Sequence, residues 1–551
     1  MMTAASTIGP PSETTPDSAR PRGAAGVALG PRGPWLLIAA LAVLDFLVRL
    51  PVALRPIEFI DGLVLPDDAY ISLTLARNIA RGLGPLYGLD PTNGFQPLFV
   101  FLMVPFYWIH PVNPESPVHA ALVMLSVFDA ATLAVLCILA MRIVPSRAAP
   151  LFLAAAWIFN PYAIRQSVNG LETAVAVCFS AGSLLALERL LAAEGRRARD
   201  RAALLLGLMG GLAALARIDC VLLLLTAGAV LLRRSAGAGR TGDALRPILL
   251  AAGIAILVNL PWWGYALHHT GEIFPVSGKA VRHMSLANVD HAPTIANFYL
   301  PNLARAGQII MNGSRIAIAG LIVLLLLGGL LGGRAALLSL TRPLASLLPA
   351  LVYVVALCLA YSLFIFAPWF FARYLFPGAM LFALGIGIVA GAFWLRFAAD
   401  PRRWGLLGVV LAFILIGNIL PPSLRELYTS RDTIESGYMN VGLWARERFP
   451  DGTRIGSSQT GALGYFADNL VVINLDGVVN RACYESLVQK RNIEYIREAD
   501  IEYVLGWEVN IAFIRKESRS FRSDDLIPLG RIEDFASWRH SWLLYRVNDR
   551  R

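Results

Sequence analysis

Long apolar segments recur along the chain from Trp35 to Leu420, and short polar connections separate them. Many of these segments reach the roughly 20 residues that a helix needs to cross a hydrocarbon core about 30 Å thick. The pattern therefore predicts an all-α polytopic membrane bundle. The predicted spans number eleven and lie near residues 35–51, 118–142, 148–164, 171–190, 202–216, 219–232, 246–267, 314–332, 343–366, 372–395 and 404–420.

The composition excludes an ordinary soluble domain, because 56% of the 551 residues are hydrophobic and 16% are charged. Residues 1–34 are instead rich in Pro, Ser, Thr, Ala and Gly, and we predict a disordered cytoplasmic tail there. No signal peptide is expected, because the first apolar run begins late and has no small-residue cleavage site at its end. Four of the five cysteines lie in apolar segments, so neither a disulfide framework nor a zinc site is predicted.

Positive charge is concentrated in short loops between the predicted spans, at residues 194–201, 233–246, 332–342 and 396–403. Cytoplasmic loops of membrane proteins carry this excess of Lys and Arg. We therefore attribute the formal net charge of +10 to membrane topology and expect no nucleic-acid partner. The N-terminus is predicted to be cytoplasmic and the C-terminus external.

One apolar segment, residues 95–109, does not fit the set of spans. It has about 15 residues, contains Pro97 and Pro105, and would invert every later loop if it crossed the membrane. We interpret it as an interfacial or re-entrant helix on the outer face. Residues 52–117 then form one large external loop.

That loop contains two adjacent carboxylates, Asp67 and Asp68, directly before the helical segment "AYISLTLARNIARG". Asp68 could cap this helix, since Asp is a favoured N-cap residue. Two ionised carboxylates at a membrane boundary, however, repel each other and are costly to desolvate. Because a cap needs only one of them, the pair indicates a functional site.

The sequence resembles bacterial GT-C glycosyltransferases, close to the branch that includes the mycobacterial arabinofuranosyltransferases. The most specific motif is "DDAYISLTLARNIARGLGPLYG" followed in the same loop by "NGFQPLFVFL". Further matches follow in family order: "NGLETAVAV", "LARIDCVLLLL", "PWWGYALHHTGEIFPVSGKA" and "FARYLFPG". The resemblance covers nearly the whole chain from Trp35 on. It implies a bacterial inner-membrane bundle whose external groove receives a polyprenyl-phosphate sugar and an acceptor hydroxyl.

Displacing a polyprenyl phosphate from a sugar carbon needs a base for the acceptor proton and cations for the leaving phosphate. The resemblance places the base in the first external loop. We predict Asp67 as the general base, with Asp68 orienting the acceptor or a metal, and the two roles could be exchanged. The resemblance also implies inversion at the sugar carbon, because a single base acting on the acceptor gives one displacement rather than two. A requirement for a divalent cation is left open.

Four cations are candidate ligands of the donor phosphate: Arg373, Lys279, Arg282 and Arg217. Arg373 is the strongest, because a planar guanidinium can hold a phosphate through two hydrogen bonds. Its alternative is a side chain that snorkels to the interface. Arg217 could instead form a structural ion pair with Asp219, and Lys279 and Arg282 could be solvated loop residues.

The sugar or the acceptor is expected to contact Tyr70, Asn93 and Gln96 of the first external loop, and Glu172 at the start of a span. For Glu172 the alternative is a favourable interaction with the helix dipole.

Residues 421–551 alternate β-rich runs with helical stretches, which predicts a small external α/β domain after the membrane module of residues 35–420. Gly456, Gly461 and Gly464 lack the G-x-G-x-x-G spacing of a nucleotide loop.

The predicted function is a membrane glycosyltransferase that moves a sugar from polyprenyl phosphate to a hydroxyl of an external glycan, lipid or protein. The similarity to arabinofuranosyltransferases suggests a pentofuranose donor, although hexose-using enzymes share the fold. Two alternatives remain: a polytopic transporter, for which no internal repeat is evident, and a noncatalytic assembly factor of envelope glycan synthesis.

Overall fold

The computed structural model describes residues 33–110, 113–237, 242–287, 289, 292–397, 400–430, 437–532 and 541–548. Of the predicted tail, residues 1–32 therefore lie outside the described residues.

The helices of the N-terminal half, in chain order, are α1 (Gly33–Ala53), α2 (Ile57–Ile60), α3 (Asp67–Ala80), α4 (Pro97–Ile109), α5 (Glu115–Ile143), α6 (Ala148–Trp157), α7 (Pro161–Ser167), α8 (Thr173–Ala192), α9 (Arg196–Ala216), α10 (Val221–Gly237), α11 (Gly242–Thr270) and α12 (Val276–Ala287). Those that follow are α13 (Leu300–Gly313), α14 (Arg315–Leu338), α15 (Thr341–Ala345), α16 (Leu348–Ala360), α17 (Phe371–Tyr374), α18 (Pro377–Phe397), α19 (Pro401–Ile419), α20 (Pro422–Thr429), α21 (Tyr438–Arg448), α22 (Gly461–Phe466), α23 (Arg481–Val488), α24 (Asn492–Glu498) and α25 (Glu508–Lys516).

The described part of the chain contains nine helices long and apolar enough to cross a membrane, and each coincides with one of the eleven predicted spans. The other two predicted spans differ. Residues 148–164 form only the ten-residue α6, after which Pro161 starts the separate helix α7, with the Asn160 side chain accepting a hydrogen bond from the Tyr162 amide. Residues 202–216 belong to α9, whose first six residues carry five charges. The protein is thus a multi-pass membrane bundle, as predicted.

Small residues bring α9 and α11 of the bundle close together. α9 packs against both α8 and α11. A Cβ at Gly207 would lie 2.4 Å from the Ala251 carbonyl oxygen, and one at Gly211 would lie 2.9 Å from the Ala255 Cα. This small-xxx-small spacing lets two membrane helices touch through their backbones.

A buried ionic cluster joins α1 to α5. The Arg49 guanidinium contacts the carboxylates of Asp45 at 2.6 Å and Asp129 at 2.5 Å, and all three side chains are at most 1% exposed. The Trp157 indole donates to Asp129 at 3.1 Å. Charges inside a bundle usually pair in this way, since an isolated charge is costly there.

In the described part of the chain, two sheets lie outside the bundle helices. β1 (Leu86–Tyr87) and β2 (Asp90–Pro91) form a short antiparallel pair in the segment between α1 and α5, which we call the first loop (residues 54–114). The larger sheet has five strands in the order β4-β3-β5-β7-β6. Its strands are β3 (Arg454–Ser457), β4 (Val471–Asn474), β5 (Tyr503–Trp507), β6 (Leu526–Arg531) and β7 (Trp542–Val547).

β4, β3 and β5 run parallel, whereas β7 is antiparallel to both β5 and β6. Parallel strands need crossover connections, and helices α22 to α24 supply them here. The predicted small C-terminal α/β region is therefore confirmed. We call residues 437–548 the sheet region.

Candidate active site

The two adjacent carboxylates are the first two residues of α3, directly after Pro66. Negative charge at this end of a helix is favourable because the backbone amides there lack helical partners. Despite their adjacency the two side chains differ in exposure. Asp67 is 6% exposed, whereas the Asp68 side chain is 34% exposed.

Asp67 connects the first loop to the sheet region through hydrogen bonds. Its carboxylate accepts hydrogen bonds from the amides of Gly461 at 2.8 Å and Ala462 at 2.9 Å, the first two residues of α22. Burial raises the pKa of Asp67 to about 7, although these two amides act in the opposite direction. Because both carboxylate oxygens are used, the geometry does not favour Asp67 over Asp68 as the general base.

The other end of α22 is held by Arg77, which lies ten residues further along α3. Its guanidinium donates to the carbonyls of Tyr465 at 2.7 Å and Gly464 at 3.0 Å. The first amides and the last carbonyls of a helix have no hydrogen-bond partners within the helix. Asp67 accepts from the first amides of α22, and Arg77 donates to its last carbonyls. α3 thereby fixes the position of α22 along its whole length.

Asp68 faces Arg373. One guanidinium nitrogen of Arg373 lies 3.4 Å from the Asp68 carboxylate, and the other donates to the Tyr374 hydroxyl at 3.2 Å. Among the described residues, the buried Nε of Arg373 has no hydrogen-bond partner. The guanidinium carbon lies 4.8 Å from the ring centre of Phe370 and 5.0 Å from that of Tyr374. The fold thus brings together the carboxylate and the cation that the sequence singled out in separate segments.

Arg217 binds the backbone segment that carries Arg373. Its guanidinium binds the Asp219 carboxylate and donates to the carbonyls of Arg373 at 3.2 Å and Tyr374 at 3.1 Å. The Tyr361 hydroxyl donates to Asp219 at 2.6 Å. The Arg217 side chain is 3% exposed, so these contacts match the structural ion pair rather than a phosphate ligand.

Glu172 belongs to the same network but is buried. Its carboxylate lies 4.0 Å from the Arg217 guanidinium, and the side chain is 2% exposed. Its Oε1 has no hydrogen-bond partner among the described residues. Glu172 therefore lies close to Arg217, which donates hydrogen bonds to the backbone carbonyls of Arg373 and Tyr374.

The predicted sugar ligands of the first loop have structural contacts instead. Tyr70 is fully buried and its hydroxyl donates to Asp61 at 3.1 Å. The Asn93 amide donates to the Glu272 and Phe274 carbonyls at 3.0 and 3.1 Å, and its oxygen accepts from the Val276 amide. These bonds leave neither side chain open to a sugar.

Two further features explain the rest of the "NGFQP" motif. Gly94 permits a close approach, because a Cβ there would lie 2.0 Å from the Val478 carbonyl oxygen. Gln96 is partly buried and precedes α4, whose first residue is Pro97. The motif therefore joins the first loop to the segment before α12 and to the sheet region.

Lys279 and Arg282 both lie on α12. Lys279 pairs with Glu272 at 2.5 Å and its side chain is 45% exposed. The Arg282 guanidinium carbon lies 4.9 Å from the ring centre of Phe364. The structure does not place either cation in contact with Asp68.

Two carboxylates that the sequence pattern did not single out, the buried Asp61 and the partly buried Asp476, also lie at the junction with the sheet region. Asp61 accepts from the Met439 amide at 2.9 Å, and Asp476 follows β4 and accepts from the Val478 amide at 2.9 Å. Burial raises the pKa of each to about 7. The signal for Asp476 was its position directly after a β-rich run, where parallel strands bring side chains to one edge.

The part of the chain that the structure describes has no cluster of three or more His, Cys, Asp or Glu side chains suited to a metal ion. Asp68 alone, beside a guanidinium, is a poor ligand set for a divalent cation, which prefers several oxygen ligands. We therefore assign no step to a metal.

Comparisons with known proteins agree with this architecture. Residues 426–545 match a family described as a domain of unknown function, DUF8728. A search of curated proteins found no match.

Solved structures are similar over most of the chain. ArnT from Cupriavidus metallidurans in the apo state has 13% identity and a TM-score of 0.56, covering 93% of this chain and 98% of ArnT. ArnT bound to undecaprenyl phosphate has 14% identity and a TM-score of 0.56, covering 94% and 98%. The apo oligosaccharyltransferase of Archaeoglobus fulgidus has 12% identity and a TM-score of 0.50, covering 86% and 69%. At these identities the likeness concerns the fold, and the chain has a GT-C-like membrane fold.

Proposed function

We propose that this protein is a membrane glycosyltransferase that transfers a sugar from a polyprenyl-phosphate donor to an acceptor hydroxyl with inversion. The observation that carries this proposal is the contact between Asp68 and Arg373 at 3.4 Å in a GT-C-like fold. A carboxylate and a guanidinium are the two groups that the transfer needs, one for the acceptor proton and one for the leaving phosphate.

Asp68 is the proposed general base. Its side chain is the more exposed of the two adjacent carboxylates, and an acceptor hydroxyl has to reach within about 3 Å of the base. Asp67 is proposed to position Asp68, because its bonds to Gly461 and Ala462 fix the first turn of α3. The roles expected from the sequence are thus exchanged.

Arg373 is the proposed ligand of the donor phosphate. Its Nε has no partner among the described residues, and its contact with Asp68 is long for a charged hydrogen bond. The rings of Phe370 and Tyr374 cover the guanidinium and reduce its contact with water. In such surroundings a cation stabilises the charge that develops on the leaving phosphate more strongly.

The present arrangement corresponds to the state before the donor binds. In an inverting displacement the attacking hydroxyl and the leaving phosphate lie on opposite faces of the sugar carbon. A sugar does not fit between two side chains 3.4 Å apart. We therefore propose that donor phosphate replaces Asp68 on Arg373 and thereby frees the carboxylate to act as a base.

The identity of the donor lipid is proposed by analogy. ArnT, which shares the fold, was solved bound to undecaprenyl phosphate. A pentofuranose as the donor sugar, a bacterial inner-membrane location and an external active site with residues 421–551 on the same side are further parts of the proposal. They follow from the sequence resemblance and from the distribution of basic loops.

Purified protein in lipid nanodiscs with undecaprenyl-phosphate sugars, arabinofuranose and hexoses among them, tests the proposal. Mass spectrometry would follow loss of the donor and appearance of a glycosylated product. We expect turnover that Asp68→Asn abolishes and that Glu498→Gln, which changes an exposed acid paired with Arg491, leaves intact. Solute flux without donor turnover would instead support a carrier, and full activity of a double Asp67→Asn, Asp68→Asn variant would reject the site.

A further inference from the structure

The carboxyl ends of two parallel strands meet the first loop. β3 and β4 are in parallel register, with Ser457 level with Asn474, so both strands leave the sheet at the same edge. In open sheets with parallel strands, ligands bind in the crevice outside the carboxyl ends of the strands. This edge of the sheet region is therefore the expected location of a ligand site.

Two polar side-chain atoms at this edge lack hydrogen-bond partners among the described residues. Ser458 Oγ and Asn474 Oδ1 are buried and have no hydrogen-bond partner among the described residues. Ser458 is 9% exposed and Asn474 is 1% exposed. A buried polar group without a partner costs about 1 to 3 kcal/mol, so such groups in a native protein call for an explanation.

The same edge lies directly beside the proposed active site. The turn after β3 leads into α22, whose first amides bind Asp67, and the Tyr87 hydroxyl donates to the Thr460 carbonyl at 2.8 Å. The turn after β4 packs on the first loop, where the Val478 carbonyl approaches Gly94. Both turns therefore contact the loop that carries Asp68.

Asp476 lies in the turn after β4 and Asp68 lies in the first turn of α3, so both belong to this junction. The Asp476 side chain accepts from the Val478 amide at 2.9 Å and is partly buried. Val478 meets Gly94 of the first loop, and Asp67, next to Asp68, accepts from the first amides of α22. Burial raises the pKa of Asp476 to about 7.

We infer that Asp476 and the neighbouring edge of β3 and β4 bind the acceptor, and that the acceptor is a neutral sugar ring presenting neighbouring hydroxyls. This inference rests on the proposed function and adds the acceptor class. A carboxylate accepts hydrogen bonds from two adjacent hydroxyls, and the serine hydroxyl and the asparagine oxygen offer further partners. Two carboxylates at the same junction, Asp476 and Asp68, repel an anionic acceptor, which favours a neutral one.

Saturation-transfer NMR on the full-length protein in nanodiscs, with neutral methyl hexosides and methyl pentosides as probes, tests this inference. Methyl glucuronide serves as the anionic counterpart. We expect at least one neutral glycoside to bind the wild type and methyl glucuronide to bind more weakly. Asp476→Asn should weaken neutral glycoside binding about tenfold, because a hydrogen bond to a charged group is lost.

Asparagine at this position can still accept from the Val478 amide, so the turn keeps its structural bond. Undecaprenyl phosphate binding, measured on the same samples, should stay unchanged in Asp476→Asn. Glu498→Gln is the control within the sheet region. The inference is overturned if no glycoside binds the wild type, if Asp476→Asn binds glycosides normally, or if it loses the lipid and the glycoside together. Failure of the wild type to bind or turn over the polyprenyl donor would instead reject the proposed function.

Discussion

Asp67 and Gly461 are joined by a hydrogen bond of 2.8 Å although 394 residues separate them in the chain. The bond links the first turn of α3, which carries Asp68, to the first turn of α22 in the sheet region. The sheet region is consequently part of the structure that positions the proposed base.

The close approach at Gly461 gives the first prediction. A Cβ at Gly461 would lie 1.9 Å from the Asp67 carbonyl oxygen, which is a backbone atom that cannot move aside freely. Gly461→Ala should therefore destabilise the protein by about 1 to 3 kcal/mol and reduce transfer. Thermal unfolding in nanodiscs and the transfer assay measure the two effects.

Gly464→Ala is the matched control, since Gly464 lies in the same short helix and its Cβ would meet the end of the Tyr87 side chain at 3.3 Å and the Val472 side chain at an ordinary 3.6 Å. We expect nearly normal stability and activity. Equal effects of the two substitutions would contradict the role given to the contact between Asp67 and Gly461.

A second prediction concerns pH. Burial raises the folded-state pKa of Asp61, Asp67 and Asp476 to about 7, well above the ordinary value of 3.8. The folded state therefore binds protons more tightly than the unfolded state, and stability falls as pH rises from about 4 to about 7, by up to about 1.4 kcal/mol per pH unit for each group. The melting temperature should decrease between pH 5 and pH 7.5.

Asp67→Asn removes one of these three titrations, so the melting temperature of the variant should depend less on pH than that of the wild type. This holds even though the variant loses one good acceptor for the α22 amides. A wild-type melting temperature that rises over this range would contradict the assignment.

The hydrophobic pattern predicted the membrane module well because span length depends on local sequence alone. It differs from the structure where Asn160 and Pro161 start a new helix and divide the predicted span of residues 148–164. The predicted span of residues 202–216 forms the apolar part of α9, which follows the charged residues 196–201.

The site was predictable only in part, because its contacts connect distant segments. The residue types of Asp68 and Arg373 indicated a base and a phosphate ligand. Their separation of 305 residues in the sequence meant that their contact in the fold could not be predicted. The sequence alone also does not indicate that Tyr70 and Asn93, predicted as sugar ligands, are hydrogen-bonded to other groups of the protein. The position of Asp476 likewise depends on a tertiary feature, the parallel register of β3 and β4.

The buried cluster in the bundle provides a third prediction. Arg49→Met would leave the carboxylates of Asp45 and Asp129 without their cation at sites that are at most 1% exposed. Removing one partner of a buried ion pair typically costs about 3 to 5 kcal/mol. We expect a large fall in melting temperature or loss of folded protein in the membrane.

Arg142→Met is the control for this prediction, since Arg142 pairs with Glu188 at a partly exposed site where the loss should be about 0 to 1 kcal/mol. Similar melting temperatures for the two variants would show that the buried cluster does not stabilise the bundle.

The fourth prediction separates binding from turnover at Asp68. In the wild type Asp68 competes with the donor phosphate for Arg373, so Asp68→Asn should bind undecaprenyl phosphate more tightly. A partly exposed ion pair contributes about 1 kcal/mol, which corresponds to about fivefold in affinity. Transfer should nevertheless be lost, because the amide is not a base.

Native mass spectrometry with undecaprenyl phosphate measures the affinity, and the nanodisc assay measures transfer. Weaker lipid binding by Asp68→Asn would contradict the competition that we propose.

The last prediction concerns the shape of the cation at residue 373. Arg373→Lys keeps the positive charge but loses the planar group whose Nε has no partner among the described residues. We therefore expect partial donor binding with reduced turnover, since stabilisation of the leaving phosphate grows as its charge develops. Arg373→Ala should lose both, whereas Arg246→Lys, which alters an exposed pair with Asp200, should affect neither. If Arg373 only snorkelled to the interface, lysine would serve equally well. Kinetics at several donor concentrations distinguish the two cases, and a lysine variant with normal turnover and affinity would remove Arg373 from the site.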